Sequence, residues 1–314
     1  MSDLSVIPSR YWQLKIDNLK QSDDVDSINY NEFITGKGFT QRRIVFNILQ
    51  DFQGSISYAD IKIFGLNSDT INKYLVKNAA IQFDCGYQTT PIDKKGNNQK
   101  TIDNYSTIFT GKIKNAFKSG LPPETFLQIF AISETSQKNI NLTLGKPAKV
   151  LDVISACASA MGYIYKIDSV DDITWEDYKN GFSAIGNPKD ILNKIAFDKK
   201  FRWIIENNII VITPIISYRD KSIEEINWKT GMVGIPQINE SGIDVIVNLK
   251  KRLKIGTKIK IKSEIESFNF GSLYYENIPA SAGNGEVIIQ RINFIGDNYG
   301  DRWDQQITGF FEGV

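Results

Sequence analysis

Histidine is absent from all 314 residues of this chain. That absence removes the commonest general base, the commonest nitrogen ligand for metals and any imidazole-based pH switch. Ser-His-Asp and Cys-His nucleophilic arrangements are impossible without it. The only two cysteines, Cys85 and Cys157, lie far apart and match no metal or redox spacing. They read as buried free thiols in a reducing compartment, with a single disulfide as the other reading. Neither sign of charge is in excess: 37 Lys and Arg face 36 Asp and Glu, a net charge of +1, so no global pull toward nucleic acid or acidic lipid is expected. Long apolar runs are missing too. The longest, Ile209 to Ile216, is broken by Thr213 and Pro214 and is too short to span a bilayer. The N-terminus has no basic region followed by an apolar core, so no signal peptide or membrane anchor is expected, and the chain is expected to be made and folded in the cytoplasm. There is no G-x-x-x-x-G-K-[ST] phosphate loop.

What is present is alternation. The length suggests two or three domains. Residues 1–135 read as all-β. Strands are expected at Tyr11–Ile16, Ile44–Leu49, Ala59–Phe64, Ala80–Tyr87, Ile108–Ile113 and Thr125–Ser133, each with a period of two. Gly65-Leu66 ends the third of these. After it, Ser68 is placed as the cap of a short helix with Ile71, Tyr74 and Leu75 inward. Thr89 to Tyr105 is polar and reads as a long exposed loop or hairpin tip.

Residues 136–218 differ. Val150, Leu151, Ile154, Ala158 and Met161 recur at helical spacing, with Gly162 as the stop. Asn187-Pro188-Lys189-Asp190 is a strong helix start that turns Ile191, Leu192, Ile195 and Ala196 inward. Phe201–Glu206 and Ile209–Thr213 flank Asn207-Asn208, a pair that tolerates the positive φ of a tight hairpin. This middle unit is expected to be α+β.

Residues 219–314 return to β. Gly231, Gly234 and Pro236 make an irregular approach to a strand in which Ile243, Val245 and Val247 alternate with polar positions and Ile246. After the basic run Lys250-Lys251-Arg252-Leu253-Lys254, Gly256 opens Lys258–Lys262, with lysines expected on one face and Ile259 and Ile261 on the other. Ile61, Ile63, Ile243, Val245, Ile259 and Ile261 are expected to face cores or subunit contacts. A long Ile-rich strand, Glu286–Asp297, and a closing strand, Gln306–Phe311, follow.

The order of Gly231, Gly234, Pro236, Gly242, Asn248, Leu249, Leu253, Gly256, Ile259 and Ile261 resembles the C-terminal barrel signature of baseplate hub proteins of contractile-tailed bacteriophages. One position departs from it: Lys250, Lys251 and Arg252 fill a turn that often holds proline. Three further pieces are similar to the same family. These are Gly65-Leu66 after a strand, Gly86-Tyr87 followed by Ile108-Phe109-Thr110-Gly111-Lys112-Ile113, and Gly296-Asp297 with Trp303. The resemblance implies a mainly β fold of two tube-like β-barrel domains related by remote duplication, at 1–135 and 219–314, with the middle unit inserted between them. It implies a structural virion protein of the tail baseplate: a homotrimer between the sixfold tail-tube ring above and the threefold central spike below, in contact with wedge or other baseplate proteins, with genome DNA passing through its lumen. No cofactor, metal or catalytic residue is implied. The alternatives are another tail ring component, such as a distal tail or tube-initiator protein, or a cell-wall-binding or cell-wall-degrading tail protein.

The enzymatic alternative can be weighed on residues. Glycoside hydrolysis needs two carboxylates at a defined separation in a cleft, one of them in an apolar setting. The candidates are Glu176/Asp177, Glu224/Glu225 and Glu264/Glu266. Adjacent residues on a strand point to opposite faces, and Glu264 and Glu266 share a solvated one. Tyr274, Tyr275 and Trp303 offer rings for sugar stacking, against the commoner fate of packing in a barrel or interface. The basic run is read as a solvated turn or an intersubunit ion-pair patch before it is read as a phosphate site.

Overall fold

The structure is a computed structural model that describes residues 9–17, 25–29, 42–52, 57–89, 102–121, 124–133, 138–172, 174–215, 217–239, 242–249, 253–264, 267–268 and 285–311. Its N-terminal part comprises β1 (Ser9–Asp17), β2 (Val25–Asn29), β3 (Ile44–Asp51), β4 (Tyr58–Phe64), α1 (Ser68–Tyr74), β5 (Ala80–Thr89), β6 (Ile102–Ser119) and β7 (Phe126–Ile132). Alternation does what the pleat dictates. β4 buries Ala59, Ile61 and Ile63, and β7 buries Leu127, Ile129 and Ala131. All pairings here are antiparallel, in the order β2-β1-β5-β6-β7-β4-β3.

Two expectations change in this part. The polar stretch Thr89–Tyr105 is strand at both ends: Thr89 pairs with Ile102, and β6 runs 18 residues, because the ladder set by Phe83↔Phe109 carries on into polar sequence. Residues 90–101 lie outside the described chain. The cap of α1 is Asn67, not Ser68; its Oδ1 accepts from Thr70 N at 2.7 Å. Ile71 and Tyr74 are buried, but Leu75 stands where the chain leaves the helix and is 40% exposed.

The middle unit comprises β8 (Ile140–Leu144), α2 (Val150–Met161), β9 (Ile164–Ile167), β10 (Phe182–Gly186), α3 (Pro188–Lys199), β11 (Phe201–Glu206) and β12 (Ile209–Pro214). Gly162 closes α2 at φ +84°. Asn187 Oδ1 caps α3 by accepting from Lys189 N. Inward residues of both helices build a core of their own with Trp203, Ile205, Ile210 and Ile212. Leu151, expected inward, lies at the edge of the buried stripe and is 39% exposed. The hairpin β11–β12 turns on Asn207 and Asn208, both at positive φ. Its two faces serve different cores: Ile204 and Val211 point the opposite way and join the main core. Cys85 is buried in the main core and Cys157 in the middle one, and the two do not form a disulfide. Burial pushes the Cys157 thiol up to about 11, which keeps it protonated and unreactive.

The C-terminal part comprises β13 (Glu224–Ile226), β14 (Met232–Asn239), β15 (Gly242–Asn248), β16 (Lys258–Ile261), β17 (Ser267–Phe268), β18 (Glu286–Asp297) and β19 (Trp303–Phe311). β18 is the hinge pin of the molecule. One edge pairs with β19 along its length, while the other pairs first with β16 and then, from Arg291 to Asp297, with β3. The two β regions therefore hydrogen-bond edge to edge in one 14-stranded sheet, and they share one core. Ile61, Ile63, Ile243, Val245, Ile259 and Ile261 all lie in it. Lys258 departs from the expected outward lysine face. It is 8% exposed, ion-paired with Glu286 at 2.9 Å, with its ammonium over the Tyr218 ring.

The middle unit is clipped to this sheet by Arg219. Its guanidinium donates to Asp168 Oδ2 at 3.0 Å, Glu206 Oε2 at 2.8 Å and the Ile255 carbonyl at 2.9 Å, with a side chain only 5% exposed. Removing one partner of a buried ion cluster leaves the others uncompensated. Arg219→Ala is expected to cost about 3–5 kcal/mol in urea denaturation. The apolar Arg219→Met should be no milder, because Asp168 and Glu206 both lose the guanidinium. A loss under about 1 kcal/mol, the range of an exposed pair, would show that the cluster does not hold the units together.

Candidate functional site: the junction of the two sheet halves

Where β3 meets β18, residues from the two ends of the sequence converge on Trp303. Strand β18 ends in a short connection to β19, so Gly296 and Trp303 face each other across the hairpin. A Cβ on Gly296 would stand 2.3 Å from the Phe46 ring and 2.9 Å from Trp303. Only glycine lets these rings close over the strand. Phe46 packs edge-on against Trp303, with centroids 5.3 Å apart, and against Phe83 at 5.0 Å. The Trp303 indole, 3% exposed, donates through Nε1 to the Gly86 carbonyl at 2.9 Å. Its own carbonyl accepts from Leu249 N, and Asn248 N donates to the Gly231 carbonyl.

The connection after β18 is strapped down by cations from the N-terminal part. Arg43 grips Asp297 with both arms of its fork, at 3.2 and 2.6 Å. Arg10 donates to the backbone carbonyls of Asp297, Gly300 and Asp301, and its guanidinium carbon lies 5.7 Å from the Trp303 ring centre. Asn298 ties the same turn to Ile44 N and the Arg42 carbonyl. Burial alone would raise the Asp297 carboxyl. The Arg43 fork and the amides of Tyr299 and Gly300 outweigh it and hold the group below the usual range.

Of the residues singled out in the sequence, Gly86, Gly231, Asn248, Leu249, Gly296, Asp297 and Trp303 meet here. The others are dispersed. Gly65 and buried Leu66 follow β4, Phe109 and Gly111 lie in β6, and Tyr87 is half-buried beside the main core. Gly234 and Pro236 sit in a bulge of β14, Gly242 presses on Gly309, and Gly256 packs against Arg219. Phe46, Arg10, Arg43 and Arg219 carry the junction and the clip with no motif around them; only the folded register identifies them.

The carboxylates singled out in the sequence are not brought together in an apolar cleft. Glu176 and Asp177 are exposed on a loop. Glu225 is held by Lys262 at 2.6 Å, which lowers its pKa where a general acid needs it raised. Glu264 is exposed, and Glu266 lies outside the described residues, as do Lys250, Lys251, Arg252, Tyr274 and Tyr275. Leu253 is buried and Lys254 exposed. Trp303 is packed inside, so it offers no face to a sugar. Among the described residues, no cluster of three or more Cys, Asp or Glu could hold a metal, and no helix is long and apolar enough to cross a membrane. An open cleft of about 510 Å³ is bordered by Tyr58, Asp244, Arg291, Asn293 and Gln306. Arg291 is ion-paired with Asp51 at 2.6 Å, and Asp244 accepts a hydrogen bond from Thr308 at 2.6 Å.

Residues 43–272 match the model of a family described as "Baseplate hub gp41". No curated protein matches the chain. In fold it is similar to a 43 kDa tail protein of prophage MuSo2 from Shewanella oneidensis. That similarity has a TM-score of 0.56 at 10% identity and covers 96% of this chain and 97% of that one. It is also similar to a tail protein from Neisseria meningitidis MC58, with a TM-score of 0.54 at 9% identity, covering 98% of each chain.

Two outcomes test the junction. Trp303→Phe removes the indole donor to the Gly86 carbonyl, with an expected loss of about 0.5–1.5 kcal/mol by urea denaturation. Asp297 is depressed in the folded state, so its contribution is complete above the ordinary carboxylate range near 4 and fades as pH falls through the lower folded value. Asp297→Asn should therefore be less stable than the parent at pH 7 and lose less stability than the parent between pH 5 and pH 2. Parallel acid profiles would remove Asp297 from the strap.

Proposed function

The chain belongs to the baseplate hub gp41 family, and we propose on that premise that three copies form the hub ring between a sixfold tail-tube ring and a threefold central spike of a contractile tail. It is a structural protein of the phage tail, not an enzyme. The observation that carries the finer reading is the junction: one chain holds two β regions edge to edge through β3 and β18, at a spacing set by the Trp303 cluster. Two tube-like lobes per chain, at 1–135 and 219–314 around the insertion 136–218, give six similar lobes in a closed threefold ring, and so one surface type meets both symmetries. Wedge or other baseplate proteins would pack outside. The genome would pass through a central lumen, for which a sheet face with locally paired charges is suited because it offers DNA few uncompensated cations.

Native mass and ring-averaged electron images of the purified chain, alone and with its tube and spike proteins, test this. A threefold particle with six lobes around a hole is expected. A stable hexamer of identical chains would overturn it in favour of a tube-initiator ring. Val245→Pro, in a strand paired with β19 through Ile307, should abolish the particle; trimers from that variant would contradict the reading.

A further inference from the structure

The cleft bordered by Tyr58 and Arg291 lies on the face of the sheet opposite the main core. Strands β15, β18 and β19 alternate there: Val245, Ile292 and Ile307 enter the core, so Asp244, Asn293, Gln306 and Thr308 stand on the other side. The register sets these side chains in rows. Gln306 lies beside Asn293, and Leu49 and Tyr58 follow on the next two strands. In the neighbouring row Gln237, Asp244, Thr308 and Arg291 stand side by side. Neighbours in a row are about 5 Å apart, the spacing of paired strands. At about 510 Å³ the cleft falls within the range of small-ligand sites, roughly 300–1,000 Å³.

Its polar groups are planar and partly unspent. Among the described residues, the side-chain amides of Gln237 and Gln306 make no hydrogen bond. Arg291 gives Nε and Nη2 to Asp51 and keeps Nη1. Asn293 Oδ1 is buried with no hydrogen-bond partner, a cost that a turn of the amide toward a donor in the cleft would relieve. The Tyr58 ring beside them is 48% exposed.

These features select among ligand classes. A polyanion is disfavoured: Arg291 is the one cation among the described lining residues, it is already ion-paired, and the Asp244 carboxylate repels. An extended peptide has no ladder to join, because β15, β18 and β19 are each paired on both edges here. Sugar hydroxyls donate and accept together, and adjacent pairs of them match an amide, carboxylate or guanidinium that offers two atoms in one plane. The apolar face of a sugar ring fits an exposed tyrosine. Asp244 is the one carboxylate among the described lining residues, so two-carboxylate hydrolysis has no second partner.

We propose that this cleft binds a neutral oligosaccharide, stacked on Tyr58 and hydrogen-bonded by Gln306, Asn293 and Asp244, and releases it uncleaved. This goes beyond the hub reading and does not depend on it.

The test titrates the full-length chain by calorimetry with chitotetraose, cellotetraose and maltotetraose, neutral chains that differ in linkage and in N-acetyl groups. Saturable binding of at least one is expected, with no cleavage product by mass spectrometry. Chitotetraose alone would assign an amide-bearing glycan; either of the others would assign a plain hexose polymer. Gln306→Ala removes an amide that pairs with nothing in the described chain, so the melting temperature should hold while Kd rises about five- to tenfold, the effect of one or two hydrogen bonds. Tyr58→Phe should bind like the parent and Tyr58→Ala about tenfold more weakly. No saturation by any of the three sugars, or equal affinity of the parent and Gln306→Ala, would refute the site. Displacement of the sugar by an uncharged Ser-Ala peptide would make it a peptide site and refute the sugar. Ring formation, read from particle mass, is decided separately, so the hub reading stands or falls without this result.

Discussion

The pairing of β3 with β18 is the constraint on which the molecule depends. It joins residues about 240 positions apart in sequence, so the chain must close a very long loop before any reward is collected. The reward is that two exposed edges vanish at once. Left unpaired, each would be a row of free amides and carbonyls open to other chains. Pairing alone does not define the register, because a slip by one residue turns an entire strand over. The Trp303 cluster supplies that definition. Gly296 admits Phe46 at one position only, and the indole finds its acceptor on Gly86 only in the observed register.

A second constraint orients the middle unit. Its β11–β12 hairpin has apolar residues on both faces and so belongs to two cores. Apolar contact is tolerant of direction, and a hairpin wedged between cores could settle at several angles. Arg219 is not tolerant: a planar fork with two carboxylates and one carbonyl fixes angle as well as distance. A buried ion cluster adds little net stability once desolvation is counted, so its effect here is orientation.

How far the sequence could be read follows from the range of each interaction. Alternation in β4, β7 and β15, the Asn187 cap of α3 and the Asn207-Asn208 turn are set by neighbours a few residues away, and all were legible. Boundaries were less so. β6 is three times the length expected because its two ends are largely polar, and only the registers with β5 and β7 make them strand. Asn67 displaced Ser68 as the cap of α1, since both can cap and the choice lies in where the strand before it stops. Lys258 was misplaced because alternation cannot foresee Glu286 or Tyr218 waiting at its end. At the junction, glycines and Trp303 stood out, but Phe46, Arg10 and Arg43 are ordinary residues until the fold brings them within reach of the last hairpin.

The same distinction explains why function here resides in shape. An enzyme concentrates its signal in a few side chains with displaced pKa values, and such residues are visible as exceptions. In this chain the displaced groups are structural: Asp297 is held down by the strap on the last hairpin, and the Cys157 thiol is raised by burial in a core. The proposed hub would instead hold two β regions at one separation between surfaces of different symmetry. That would demand stiffness at the joint between β3 and β18. That joint holds the Phe46–Trp303 packing, the forked Arg43–Asp297 ion pair and Gly296, whose missing side chain leaves room for both rings.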